Sequence, residues 1–196
     1  RYITTVPGRG YCFVAPVERL NISPPPSDEA ELTHNLAPLN RVVGREETVA
    51  MLVERLPKHR FVTIVGPGGI GKTTVGLAVA HRLVGSYTDG IRFVDLTPLR
   101  DDQLVPNVVA FVIGLAVHSE DVLPALTNFL NRKRMLLELR NCEHVIDAAA
   151  LLVERVLKAA PGVQILTTSR EPLRAEREHV QGIAPLAVPS SSEGLG

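Results

Sequence analysis

One octapeptide constrains this chain more than anything else in it: Gly66-Pro67-Gly68-Gly69-Ile70-Gly71-Lys72-Thr73. It fits the pattern GxxxxGK[ST] in full. Glycines at these places let backbone N–H groups converge on one point with no Cβ atoms in the way. The residues before it, 60–65, form a short β-branched run, and those after it, 72–84, have helical spacing. A strand that turns through such a loop into a helix brings the positive end of the helix dipole to the loop. The chemistry that fits is an anion gripped by main-chain amides, a polyphosphate. Gly66, Pro67, Gly68, Gly69, Ile70, Gly71, Lys72, Thr73 and Thr74 are the predicted nucleotide-binding residues. In this arrangement the Lys72 ammonium neutralises the β- and γ-phosphates, and the Thr73 hydroxyl carries Mg²⁺.

From Arg41 onward, helix and strand patterns alternate. Helices are predicted over 45–56, with Val49, Leu52, Val53 and Leu56 on one face, and over 72–84, 101–114, 122–131 and 144–159. Strands are predicted over 60–65, 91–96, 135–139 and 163–167, with 179–186 as a candidate fifth. Alternation of this kind predicts an α/β fold, a parallel sheet covered by helices on both faces. The expected architecture is a three-layer P-loop sandwich.

The N-terminal part is different. Residues 1–17 alternate β-prone and polar side chains around Pro7-Gly8-Arg9-Gly10, the pattern of a hairpin. A lone hairpin is marginal in water, so it reads as the end of a domain that begins upstream. Residues 18–40 centre on Ser23-Pro24-Pro25-Pro26-Ser27. Such a segment favours an extended, semi-rigid spacer and buries no core, which makes it a connector without a binding role. The phosphate-binding domain then covers 41–189, followed by a Ser/Gly-rich tail over 190–196. Both ends read as cuts in a longer protein.

Composition excludes several classes. Among 196 residues, 21 Lys and Arg balance 21 Asp and Glu, so no whole-chain basic field draws the protein to nucleic acid or an anionic membrane. Aromatic residues are 4% and Trp is absent, which argues against a base-stacking single-strand binder. The longest apolar stretch, 108–117, is too short to span a bilayer, and no signal peptide is visible. Cys12 and Cys142 fit no metal spacing and read as reduced thiols of a cytoplasmic protein. The six histidines are scattered without ligand spacing, so no metal beyond Mg²⁺ is expected.

Five segments together resemble the nucleotide-binding domain of signal-transduction ATPases with numerous domains, the AP-ATPase or NB-ARC class, and above all its bacterial members fused to transcriptional regulators. They are Val43-Gly44-Arg45-Glu46, the loop through Thr74, Phe93-Val94-Asp95-Leu96, Asn141-Cys142-Glu143-His144, and Thr167-Thr168-Ser169-Arg170-Glu171-Pro172-Leu173. The resemblance implies that Val43 and Arg45 lie beside the adenine; spacing alone allows Arg45 and Glu46 to be a charged first turn on a surface helix. It implies that Arg170 is a sensor of the γ-phosphate, where the residues alone also allow a surface pair with Glu171 or Glu176. It further implies that the strand over 163–167 lies between the phosphate-loop strand and the strand over 135–139.

In that class the latter strand ends in an Asp that holds Mg²⁺ through water. Aligned on Asn141-Cys142-Glu143-His144, the position is Arg140 here, and Glu138 stands two residues earlier. Alternation along a strand puts Glu138 and Arg140 on one face, where they can pair. Glu138 lies roughly 6.6 Å upstream of the missing carboxylate, too far to replace it. Glu143, in the following turn, is either the group that polarises the attacking water or an ordinary solvated Glu. The expectation is that ATP and ADP bind while hydrolysis is weakened or lost.

The N-terminal hairpin is similar to the wing of response-regulator-type winged-helix DNA-binding domains. That resemblance implies a DNA partner, reached through the part of the domain upstream of Arg1, with Arg9 either a phosphate contact or a plain surface Arg. The reading as a whole is an ATP/ADP-binding switch of a transcriptional regulator, with regulatory domains downstream. Its competitors are an actively hydrolysing signalling ATPase and a phosphotransferase sharing only the loop, for which no acceptor-site signature is visible.

Overall fold

The computed structural model describes residues 3–6, 10–13, 42–116 and 121–186. The chain divides into two units, Arg1–Ala30 and Glu31–Gly196. In the first, β1 (Ile3–Val6) and β2 (Gly10–Phe13) pair antiparallel, with Ile3 opposite Phe13 and Val6 opposite Gly10. The hairpin expected from alternation is present. Arg9, the Pro-rich segment 18–40 and the tail 190–196 lie outside the described residues.

The second unit alternates helices and strands. In chain order they are α1 (Glu46–His59), β3 (Phe61–Val65), α2 (Lys72–Arg82), β4 (Ile91–Asp95), α3 (Val105–Val112) and α4 (Val122–Leu130). They continue with β5 (Leu136–Arg140), α5 (Ile146–Ala159), β6 (Gln164–Ser169) and β7 (His179–Gly182). The strands form one sheet in the order β4-β5-β6-β3-β7, and every neighbouring pair is parallel. β6 therefore lies between β3 and β5, the position implied for the sensor strand. The candidate fifth strand is β7, an edge beside β3 that ends four residues sooner than its apolar pattern.

Side chains alternate across each strand, so the sheet has two apolar faces, and parallel strands need both covered. On one face Val62, Ile64, Leu136 and Leu166 pack with Val49, Leu52 and Leu56 of α1 and Val75, Ala78 and Val79 of α2. On the other, Phe61, Leu137, Leu139 and Ile165 pack with Val109 of α3, Leu126 and Leu130 of α4, and Leu152 and Val156 of α5. Each such buried aliphatic side chain stabilises the fold by roughly 1.5–3 kcal/mol of transfer free energy. The result is the three-layer α/β fold of P-loop NTPases. No helix among the described residues is long and apolar enough to cross a membrane.

Element ends depart from the apolar pattern for local reasons. The helix expected over 101–114 begins as a 3₁₀ turn, Asp102–Leu104, whose N-cap Asp101 accepts from Gln103 N at 3.0 Å. The α-helix proper starts at Val105 because Pro106, which lacks an N–H, suits only a first turn. Helix α1 runs through Pro57 and stops at Arg60, which adopts the left-handed conformation at φ 61°. Asn141 does the same at φ 59°, and its left-handed turn ends β5. The expected strand over 135–139 is thereby shifted by one residue, so Arg140 belongs to the strand itself.

Candidate functional site

The site grows from the carboxyl end of β3, where ligands of open α/β sheets bind. Gly69 and Gly71 have φ of 75° and 95°, values that side chains with a Cβ rarely adopt. Gly71 is the N-cap of α2 and offers no side-chain cap, so the first amides of that helix have no intrahelical acceptor. The loop is tied down at its base: Gly66 N donates to Ser169 O at 3.3 Å, and Ile183 N to Val65 O at 2.9 Å. Pro67, Gly68, Gly69, Thr73 and Thr74 are exposed, while Ile70 is half-buried.

Lys72 folds back over this loop. Its Nζ donates to Gly66 O at 2.8 Å and Pro67 O at 3.0 Å, and the residue is only 8% exposed. Burial holds the ammonium below the usual lysine pKa, Glu143 pulls it back up and Arg170 pushes it down again. The ammonium is thus held by the loop's own carbonyls, next to the first amides of α2, the end of a helix that favours anions.

Arg45 is not a surface residue of the first turn. It is the N-cap of α1 and buried, with Nη1 donating to Ala184 O at 2.6 Å and Nη2 to Ile70 O at 3.2 Å. It thus fastens the phosphate loop to the segment after β7. Val43 is 63% exposed and Leu186 53% exposed, with Gly44 between them at φ 70°. The segment after β7 places Ile183 beside Gly66, Ala184 O on Arg45 and Leu186 beside Gly44, and no motif in the sequence announces these residues.

Arg170 and Glu143 meet. Arg170 Nε lies 3.2 Å from Glu143 Oε1, and the guanidinium lies against Gly68, where an added Cβ would sit 3.6 Å from Nη2. The pairing foreseen from the residues alone does not form: Glu171 pairs with Arg174 and Glu176 with Arg177. Glu143 is not an open solvated carboxylate either, since its side chain is 23% exposed and engaged by Arg170. Asn141 ties the neighbouring strand ends together, with Nδ2 donating to Asp95 Oδ1 and Thr97 Oγ1 and its N–H to Thr168 Oγ1.

The anomaly at the end of β5 is real. Arg140 Nε donates to Glu138 Oε1 at 2.8 Å, and Glu138 is fully buried. The Arg140 guanidinium also lies 4.4 Å from the Phe93 ring centre, a cation–π contact. Burial pushes the Glu138 carboxyl up to about 7, although Arg140 opposes the shift. Glu138 Oε2, Arg140 Nη2 and Glu143 Oε2 are buried and have no hydrogen-bond partner.

Mg²⁺ is a hard cation that takes one or two carboxylates besides phosphate and water, and the exposed Thr73 hydroxyl would hold it together with those. Of the carboxylates at the strand ends, Glu138 bonds Arg140, Glu143 bonds Arg170, and Asp95 bonds Thr97 and Asn141, each through one oxygen, while Glu138 Oε2 and Glu143 Oε2 have no partner. Among the described residues no group of three or more His, Cys, Asp or Glu could hold a metal ion.

Comparison with known proteins agrees with this architecture. A protein of Mycobacterium tuberculosis strain H37Rv named "Putative HTH-type transcriptional regulator" is 40% identical over 119 residues, 60% of this chain and 13% of that protein. An uncharacterized protein of the same organism is 30% identical over 151 residues, 76% of this chain and 38% of that protein. The chain therefore spans well under half the length of either curated relative. Against models of known protein families, the chain matches none. Among solved structures, Cdc6p from Pyrobaculum aerophilum aligns with a TM-score of 0.53 at 16% identity, over 74% of this chain and 43% of that one. The Drosophila ORC structure bound to DNA aligns with a TM-score of 0.54 at 14% identity, over 71% of this chain and 42% of that one. At such identities the likeness is one of fold, and the fold is that of P-loop NTPases.

Proposed function

We propose that residues 41–189 are an ATP/ADP-binding switch of the NB-ARC-like class within a transcriptional regulator. The observation that carries this is the loop itself: a left-handed Gly71 opening α2, with the Lys72 ammonium folded over it. The names given to the relatives in Mycobacterium supply the regulatory context. In this reading Gly66 to Thr74 cradle the phosphates, Val43 and Arg45 flank the base, and Arg170 senses the γ-phosphate. Residues 1–17 are the wing of a DNA-binding domain, 18–40 a linker, 190–196 a tail, DNA the partner of the whole protein and the cytoplasm its place. The Thr73 hydroxyl carries Mg²⁺ beside the β- and γ-phosphates.

ATP and ADP would then shift an equilibrium between two domain arrangements, by an amount set by their difference in affinity for each. Hydrolysis is weak or lost, because Arg140 replaces the carboxylate that would position the metal and Glu143 is engaged by Arg170. The test is steady-state phosphate release from ATP by the chain and by an Arg140→Asp variant. The expected result is near-background release by the chain and a higher rate in the variant. Release by the chain at or above the variant's rate contradicts the loss of hydrolysis.

A further inference from the structure

Arg170 meets the phosphate loop and a carboxylate at once. Its guanidinium lies against Gly68, where an added Cβ would sit 3.6 Å from Nη2 and 3.9 Å from Cζ and Nε. Its Nε lies 3.2 Å from Glu143 Oε1. The two side chains come from neighbouring strand ends: Arg170 follows β6, and Glu143 lies in the 3₁₀ turn Cys142–His144 after β5. Among the described residues Glu143 forms its ion pair with Arg170 alone, and Glu143 Oε2 has no hydrogen-bond partner. The two charges also reach Lys72, whose ammonium pKa Glu143 raises and Arg170 lowers. Glu143 thus offers Arg170 what a phosphate group offers, a negatively charged oxygen for the same planar set of donors. The Arg170 side chain is 66% exposed, and exposed ion pairs are weak, so a phosphate group can take the carboxylate's place.

We propose that Glu143 is an internal competitor for Arg170, a specificity-determining residue that holds down the affinity for ATP relative to ADP. The inference rests on the reading of Arg170 as the γ-phosphate sensor and deepens it. A γ-phosphate gains Arg170 only by taking the guanidinium from the Glu143 carboxylate, and the ion pair given up offsets part of that gain. The phosphates of ADP bind through the loop amides and Lys72 and leave the pair intact. The carboxylate therefore sets how strongly the third phosphate is preferred.

The experiment is calorimetric titration of ADP, and of an ATP analogue with a non-hydrolysable β–γ bridge, into the full chain in millimolar Mg²⁺. The same titrations are made on Glu143→Gln, Arg170→Gln and the double variant, with thermal melts to confirm folding; Glu143→Ala stands in should Glu143→Gln not fold. Glu143→Gln should tighten the analogue about threefold, the scale of an exposed ion pair, and change ADP by less than about twofold. In the Arg170→Gln background the same substitution should change the analogue by less than about twofold, because the coupling between the two residues is gone. Unchanged or weaker binding of the analogue to Glu143→Gln overturns the proposal and leaves nucleotide binding standing. So does an equal gain for ADP, which removes the discrimination. A gain that persists without Arg170 means that the carboxylate repels the phosphates directly, and it overturns the competition. Absence of ADP binding to the chain defeats this proposal and the reading beneath it together.

Discussion

Glu138 is the residue whose chemistry departs furthest from its surroundings. An acidic side chain with no solvent exposure, in a strand whose neighbours Leu136, Leu137 and Leu139 are core, is tolerated because Arg140 compensates it two residues away. Compensation is incomplete, since burial still pushes its carboxyl up to about 7. The folded chain thus holds that proton more tightly than the unfolded chain, whose Glu titrates near 4.3. Glu138 accordingly contributes stability that is full below about pH 4, and that is lost as pH rises through about 7. Glu138→Gln keeps the volume and removes the titration. Urea unfolding at about pH 5 and about pH 8 should show the variant gaining on the wild type by up to about 3 kcal/mol as pH rises. Parallel stability profiles for the two proteins would contradict this. The anomaly was legible from spacing, because Glu138 and Arg140 share a face in any strand. The phosphate loop was legible for the same reason, its glycines being demanded by backbone geometry. Arg170 was not read correctly from residues alone: its partner is Glu143, 27 positions away in a turn that only the strand order β5-β6 brings alongside.

Among elements, the contact between α2 and β5 matters most to the site. Gly76 is on the face of α2 that meets Glu138, and a methyl group there would lie 2.6 Å from Glu138 Oε1, so the carboxylate must shift from its bond with Arg140 to admit it. Helix propensity alone favours Ala over Gly by about 1 kcal/mol. Gly76→Ala is nonetheless expected to destabilise the domain by about 1–3 kcal/mol through overpacking, so the sign of the change decides between the two effects. A shift of the urea midpoint to lower concentration supports the packing account, and a shift to higher concentration refutes it. The same contact would displace α2 and with it the loop. The strands and helices of 42–186 were mostly readable, because buried parallel strands are β-branched or Leu-rich runs and the helices carry apolar stripes. Their ends were not. Pro106, Arg60 and Asn141 each set a boundary through local backbone geometry that apolar periodicity does not register. The strand β7 was legible as a candidate over 179–186, but its end at Gly182 was not, because its pairing with β3 stops there and the apolar residues that follow serve the loop instead.

At the scale of the molecule, the sheet and two helical layers serve to hold one concave loop at a strand end. Arg45 fastens that loop to the segment after β7, and Gly66 fastens it to β6, so both flanks of the phosphate site are anchored in the core. A site pre-organised in this way loses little entropy on binding. In the proposed switch, nucleotide state would be read at the carboxyl edge of the sheet, where Arg170 after β6 and Glu143 after the neighbouring β5 meet. The central claim is that this loop binds a purine nucleotide through its phosphates, and titration calorimetry of ADP against the chain and a Lys72→Ala variant tests it most directly. The account predicts saturable, one-to-one binding to the chain and none measurable to the variant at equal thermal stability. Equal affinity in the two proteins, or no heat of binding in either, would contradict it.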